Sequence, residues 1–312
     1  MTIRTKTGSV SGAATVDRLS ALLERFRVRT HLFHVGPLCG VTTFDARPGR
    51  GFLHVLRCGE MEVVHPDAQG VRRRLTIAEP SLLFYPRPLT HGFHHAPAEG
   101  SDFCCATVDL DGGDRNPLVH ALPPLVVLPL AQVQGLAPAL DLLFAETDQV
   151  RCGSRLLADR LFEVVLIQLL RWLIDHPAQA GISSGLVAGL ADARLARTLV
   201  ALHEEPGEPW SLAQMAQCAG MSRSAFAGAF KASVGQTPAD YLAGWRLALA
   251  ETELRKGRAV KAIADDLGYG SASALSRLFK QKLGWSPTHW LAQAGDAAPH
   301  LPTHLPFRLP PG

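Results

Sequence analysis

No stretch of this chain is apolar for long enough to cross a bilayer. The most apolar run, residues 161–174, is broken by Glu163, Gln168 and Arg171, whereas a spanning helix needs about 20 apolar residues. The first 15 residues are small and polar and lack the apolar core of a secretory signal. These absences lead to the expectation of a cytoplasmic protein with no membrane partner. Cysteine is sparse, six in 312 residues (39, 58, 104, 105, 152 and 218), which excludes a disulfide scaffold. In a reducing compartment those residues start as thiols, so any function they have is redox or metal chemistry. Charged residues make up 19% of the chain, but a hydrophobic content of 47% excludes a disordered protein. The formal net charge is only +3, and all of that excess falls between residues 194 and 293, where a phosphate-binding surface would put it. The length leaves room for two domains.

What the chain does have is a duplication in its last third. The first copy reads Ser211-Leu212-Ala213-Gln214-Met215-Ala216, then Ala219-Gly220-Met221-Ser222, then Phe226 and Phe230-Lys231. The second reads Val260-Lys261-Ala262-Ile263-Ala264, then Leu267-Gly268-Tyr269, then Ser271, Leu275 and Phe279-Lys280. Each copy predicts an apolar helix, a turn at glycine and a second helix opening on serine. Glycine supplies the left-handed residue that stops the first helix, and serine caps the second. This is helix-turn-helix grammar, and two units can enter two successive major grooves of DNA.

The first half has a different period. A helix is predicted over 16–28, with Leu19, Leu22, Leu23 and Phe26 on one stripe. Short alternating segments at 31–44, 51–64, 72–77, 81–85, 91–95 and 103–110 then predict an all-β barrel or sandwich. Residues 116–130 read as an extended exit segment. Helical periodicity returns at 131–148 and 151–175. The second of these helices is apolar on nearly every side, so it is expected to be covered on two faces, one of them by a second copy of the chain. Residues 177–189 are rich in Gly, Ser and Ala and read as a hinge or linker. A helix over 192–205 starts the last domain. Residues 1–16 and the tail from 296 read as unstructured.

The C-terminal part resembles the DNA-binding domain of the AraC/XylS family of transcription regulators. The resemblance rests on Trp210-Ser211-Leu212, the Gly220-Met221-Ser222-Arg223-Ser224-x-Phe226 string, Gly235-Gln236-Thr237-Pro238, Trp245-Arg246, Gly268-Tyr269 and Gly284-Trp285-Ser286-Pro287. It implies a long helix over 238–255 joining the two units. The N-terminal part is similar to the cupin-type sensor half of some of these regulators, through Leu38-Cys39-Gly40, Phe52-Leu53-His54, Tyr85-Pro86-Arg87, His91 and Cys105. Glu79-Pro80 departs from the Gly-Asp usual at that turn. The expected fold is therefore α+β in two domains. A cupin-like barrel over 15–130 is followed by a helical dimerisation segment and linker over 131–189. An all-α double helix-turn-helix domain spans 190–295, and a disordered tail spans 296–312.

Recognition helices are predicted over 222–232 and 271–282. With Phe226, Phe230, Leu275 and Phe279 turned inward, Arg223, Ser224, Ala227 and Gly228 face DNA on the first, and Ser273, Ser276 and Arg277 on the second. Arg277 is the candidate for reading guanine. Lys231, Lys280, Lys282, Arg258 and Lys261 are candidate phosphate contacts that position without specifying. Trp285 is expected in the core. In the barrel, His91 and His95 share a strand face and, with Cys105, compose a candidate zinc site. Cys39 and Cys105, matching the resemblance, are candidate redox thiols. Tyr85 and Arg87 are candidates to line the barrel mouth for a small organic effector. The bland reading of each is a hydrogen-bonded barrel histidine or an inert buried thiol, and all of these stay open.

The resemblance implies a dimeric regulator, more often an activator, that recruits RNA polymerase to promoter DNA. One competing reading makes the barrel a dimerisation module alone. Another, a cupin-type metalloenzyme, meets the absence of a His-x-His plus Glu ligand group, and no residue is singled out as catalytic.

Overall fold

The computed structural model describes residues 16–38, 40–67, 70–96, 102–149 and 151–296. The segments read as unstructured at either end lie largely outside the described residues, as do Cys39 and the side chain of His95. The first helix, α1 (Ser20–Arg25), is shorter than the predicted 16–28. Asp17 sets its start by accepting from the Leu19 and Ser20 N–H groups. At its other end the backbone leaves helical geometry at Phe26.

Nine strands follow: β1 (Val28–Gly36), β2 (Gly40–Phe44), β3 (Arg50–Cys58), β4 (Met61–Pro66), β5 (Arg72–Ile77), β6 (Ser81–Tyr85), β7 (His91–Ala96), β8 (Asp102–Leu110) and β9 (Val126–Pro129). They form two antiparallel sheets, in the orders β1-β8-β3-β6-β9 and β2-β7-β4-β5. β9 lies within the segment read as an extended exit. It pairs with β6, Leu82 opposite Leu128, and closes the edge of the larger sheet. The preceding turn is α2 (Pro117–Ala121), capped by the Asn116 carboxamide on Leu118 N–H.

The larger sheet is buried on both faces, which explains the nearly unbroken apolar runs of β3 and β6. Leu53, Val55, Leu82, Phe84 and Cys104 point toward the helices. Phe52, Leu56, Leu83, Tyr85 and Cys105 point toward the smaller sheet, where Phe44, Met61, Val63 and Phe93 meet them. Cys104 and Cys105 thus face opposite ways, as adjacent strand residues must.

The helical half comprises α3 (Leu136–Asp148), α4 (Ser154–Asp175), α5 (Leu186–Ala191), α6 (Ala193–Glu204), α7 (Leu212–Ala219), α8 (Arg223–Val234), α9 (Pro238–Arg255), α10 (Val260–Asp266), α11 (Ala272–Leu283) and α12 (Pro287–Asp296). The segment read as a hinge is anchored instead. Ile182, Leu186, Val187 and Leu190 are buried, and Gly185 N–H donates to Ser233 O at 2.9 Å. One apolar core therefore runs from the outer face of the larger sheet, through α3–α5, into the C-terminal helices. Among the described residues no helix is long and apolar enough to cross a membrane.

Candidate functional site

Two constellations matter, one on the C-terminal helices and one inside the sheets. In the first, α8 opens on Ser222, whose hydroxyl accepts from Ala225 N–H at 3.3 Å, and α11 opens on Ser271 in the same way at Ala274, 3.2 Å. The helices before them stop at left-handed glycines, Gly220 at φ 66° and Gly268 at φ 72°. Ser211 and Gln214 make a reciprocal capping box at the start of α7. Phe226, Phe230, Leu275 and Phe279 are buried, as the spacing required.

The opposite sides are open. Arg223, Ser224, Gly228 and Lys231 are exposed on α8, with Ala227 half-buried. Ser273, Arg277, Lys280 and Lys282 are exposed on α11, with Ser276 half-buried. Among the described residues Arg223, Lys231, Arg277 and Lys280 make no ion pair, so their charge is free for phosphates or bases. Lys282 leans toward Asp240 at 3.7 Å, tying the end of α11 to the start of α9. Trp285 departs from expectation. It sits in the turn after α11, half exposed, stacked on His289 at a ring-centroid distance of 4.4 Å.

The two units are fixed to one another through the loop between α6 and α7. Arg246 of α9 donates from Nε to Pro206 O at 2.6 Å and from Nη2 to Glu208 O at 2.7 Å, and its guanidinium lies over Tyr269. The loop therefore meets the turn of the second unit at Gly207 and Gly268.

In the second constellation, His54 of β3 and His91 of β7 meet with their Nε2 atoms 2.9 Å apart, and both are buried. His91 Nδ1 lies 2.8 Å from Leu89 O, which can only accept, so Nδ1 carries the proton. Burial pushes His91 down to about 4 and His54 well below the ordinary range, so both rings are neutral. His91 Nε2 is then bare and His54 Nε2–H donates to it, which leaves His54 Nδ1 a bare acceptor. That atom and Tyr85 Oη are buried without a hydrogen-bond partner. The Tyr85 ring stacks on His91 at 3.8 Å, and Phe44, Phe52 and Phe93 complete the surround.

This arrangement changes several of the sequence expectations. Tyr85 is wholly buried, so it lines no open mouth, and Arg87 is tied to Leu122 O at 3.1 Å. His91 spends its Nε2 on His54. Cys105 is opposite His54 in the β3–β8 register but fully buried, and burial, with Cys104 adding to it, pushes its thiol well up. A thiol so held is a poor thiolate nucleophile. Zinc takes three or four ligands, and no group of three or more His, Cys, Asp or Glu among the described residues is placed to hold a metal ion. Of the His91, His95 and Cys105 set, the His95 side chain lies outside the described residues. The His54–His91 pair itself carries one sequence signal: His54 is the one polar residue in Phe52-Leu53-His54-Val55-Leu56.

Contacts between the two halves, which the sequence did not single out, converge on α9. Phe26 packs edge-on against Trp245 at 5.1 Å. Arg115 pairs with Glu251 at 3.1 Å, where the carboxylate is buried and burial raises its pKa despite Arg115. Arg115→Ala is expected to cost about 2 kcal/mol, less than the 3–5 kcal/mol of a fully buried pair because Arg115 is half in water. In a Glu251→Gln background the same change should cost less, since no buried charge is orphaned. Equal costs in both backgrounds, measured by denaturant unfolding, would show that the pair is not coupled.

Comparison with known proteins agrees with this division. The family model described as Cupin matches residues 17–175, and the one described as Helix-turn-helix domain matches 215–293. An AraC-like transcription regulator of Streptomyces antibioticus is 41% identical over 173 residues, 54% of this chain and 56% of that protein. The chain thus matches about half the length of this relative. The RCS-specific HTH-type transcriptional activator RclR of Escherichia coli K12 is 25% identical over 255 residues, 77% of this chain and 88% of that one. The crystal structure of ToxT from Vibrio cholerae O395 aligns with a TM-score of 0.37 at 11% identity, over 86% of this chain and 98% of that one.

Proposed function

Since the chain belongs to the AraC/XylS family of transcription regulators and carries a cupin-type N-terminal domain, we propose that it is a sequence-specific, signal-controlled regulator of transcription and not an enzyme. The observation that carries the reading is the pair of capped recognition helices with unpaired basic side chains on their open faces. Each unit enters one major groove, and the footprint of one chain spans two grooves about one helical turn apart. Arg223, Ser224, Ala227 and Gly228 read the first, with small side chains favouring thymine methyls and groove shape. Ser273, Ser276 and Arg277 read the second, while Lys231, Lys280 and Lys282 hold phosphates.

On an operator obtained by selection from random DNA, Arg277→Ala should cost about 1–3 kcal/mol and relax one base position. Lys280→Ala should weaken specific and random DNA alike and reduce the salt dependence by about one ion. Equal losses from both changes on both DNAs would remove Arg277 from its assigned role.

The chain works as a homodimer in the cytoplasm and activates by recruiting RNA polymerase; an E. coli relative named as an activator supports the sign. The exposed apolar side chains Leu142 of α3 and Leu156, Leu157 and Val164 of α4 support a copy-to-copy surface there. The signal enters the N-terminal half. Three chemistries compete: an oxidant acting at Cys39 and Cys105, zinc at His91, His95 and Cys105, and a small organic effector. The burial and raised pKa of Cys105 weigh against the first, and the engagement of His91 Nε2 by His54 weighs against the second. The test is elemental analysis of untagged protein before and after peroxide. About one zinc per chain, released by oxidant, would restore the metal and thiol readings over the organic one.

A further inference from the structure

A groove of about 400 Å³ runs along the outer side of β1, between the α1–β1 junction and α4. Its floor is apolar, from Leu23, Ile167 and Leu170, and its rim is basic, from Arg27, Arg29 and Arg160. Glu163, the one acidic residue in this lining, is held by Arg160 at 2.8 Å. Among the described residues the Arg27 and Arg29 guanidiniums meet no acceptor.

The backbone adds a donor. β1 is an edge strand. Arg27 O accepts from Asp111 N–H on the inner side, while Leu32 N–H turns outward to Asp159 Oδ1 at 2.7 Å. Alternation along an antiparallel edge turns Val28 N–H outward as well, into the groove. Unneutralised guanidiniums match the planar fork of a carboxylate, and the floor offers an apolar body its burial. A cationic or purely apolar ligand would leave the arginines unanswered.

The groove's position gives its occupant a lever. Leu23, Arg27 and Arg29 face it, while Arg25 and Phe26 turn the other way: Arg25 donates to Glu204 O at 3.1 Å and Phe26 packs on Trp245. α9, which carries Trp245, joins the two helix-turn-helix units.

We propose that this groove is a binding site for an apolar carboxylate, which acts as the effector by shifting the Phe26–Trp245 contact. The proposal rests on the reading of the chain as a signal-controlled regulator, and it places the effector outside the packed interior of the sheets.

The test is calorimetric titration of the full chain with decanoate below its micelle concentration, with decanol and decylamine as controls. Tryptophan fluorescence is followed in parallel. Decanoate is expected to bind saturably and change the emission, with decanol about tenfold weaker or worse. The Arg27→Ala/Arg29→Ala double variant should lose about tenfold in affinity with an unchanged unfolding midpoint, and lysine at both positions should recover part of it. Equal binding of decanol, no saturable binding, or an unaffected double variant overturns the site. So does a double variant that changes the oligomer's mass without changing ligand affinity, because the face is then a contact between copies. Operator binding is measured on the same samples. If operator binding is retained without decanoate binding, the groove proposal alone falls. If decanoate binds and no operator does, it is the regulator reading that fails.

Discussion

Gly268→Ala should destabilise the C-terminal half by more than about 3 kcal/mol, the sum of the left-handed penalty and backbone overpacking. Gly220→Ala, at the matching turn of the first unit, should cost only about 1 kcal/mol. Both glycines hold positive φ, 72° and 66°. What separates them is their surroundings. A Cβ on Gly268 would sit 2.0 Å from Gly207 O and 2.9 Å from Gly207 C, while one on Gly220 would meet the Arg197 guanidinium at 3.4 Å. Arg197 is a flexible side chain that can step aside. Gly207 is backbone, and its loop is clamped by Arg246 through Pro206 O and Glu208 O. The Gly207–Gly268 approach brings the loop before the first unit against the turn of the second, so Gly268→Ala should also lose affinity for a two-groove operator while one-groove contacts persist. Thermal unfolding of the two variants side by side decides the matter, and equal costs would mean that the loop yields.

Local chemistry made much of this fold legible. α9 begins at Pro238 behind the Thr237 cap and ends at Arg255, the bounds that the family resemblance implied and that local signals support. Proline at the first helical position and a polar cap are signals that need no tertiary context. β5 and β6 likewise match the expected 72–77 and 81–85. What stayed hidden was set by distant partners. β9 reads as a proline-flanked exit until β6, some forty residues earlier in the chain, supplies its ladder. The Gly/Ser content of 177–189 suggests a hinge, but the four apolar residues near it decide otherwise by packing under α4 and α6. The exposed faces of α8 and α11 were legible because Phe226, Phe230, Leu275 and Phe279 fix the buried face by helical periodicity. The His54–His91 pair was not, because strand period says that His54 points inward but not that His91, on the other sheet, meets it. The same holds for Phe26, which reads as one more apolar residue on the α1 stripe until Trp245 is beside it.

Acid should unfold this protein early, over a range where most globular proteins are near their most stable. His54, His91 and His203 are buried and neutral. Burial pushes His91 down to about 4, His203 down to about 3 and His54 well below its ordinary value. In the unfolded chain each titrates near 6.5. Below that pH the unfolded chain takes up protons that the folded chain refuses. Stability is therefore complete above about pH 6.5 and falls as pH drops toward 4, by about 1.4 kcal/mol per unit for each such histidine. For His91 alone the loss is on the order of 3 kcal/mol by pH 4, and for His203 on the order of 4–5 kcal/mol by pH 3. Lowered carboxylates such as Asp240 and Glu253 act in a separate window, losing their contribution only as pH falls below their ordinary range near 4. The buried Glu251, whose pKa is raised, opposes them. Denaturant unfolding at intervals from pH 7.5 to 4.5 should therefore show a steep loss beginning near 6.5. His203→Phe would leave Tyr241 Oη, 2.6 Å from His203 Nε2, without its partner, and so lower stability at pH 7.5 while flattening the slope by one histidine. A profile flat from pH 7 to 5 would mean that these rings take up protons in the fold as readily as in the unfolded chain, and the assignment of two neutral rings to the His54–His91 pair would fall with it.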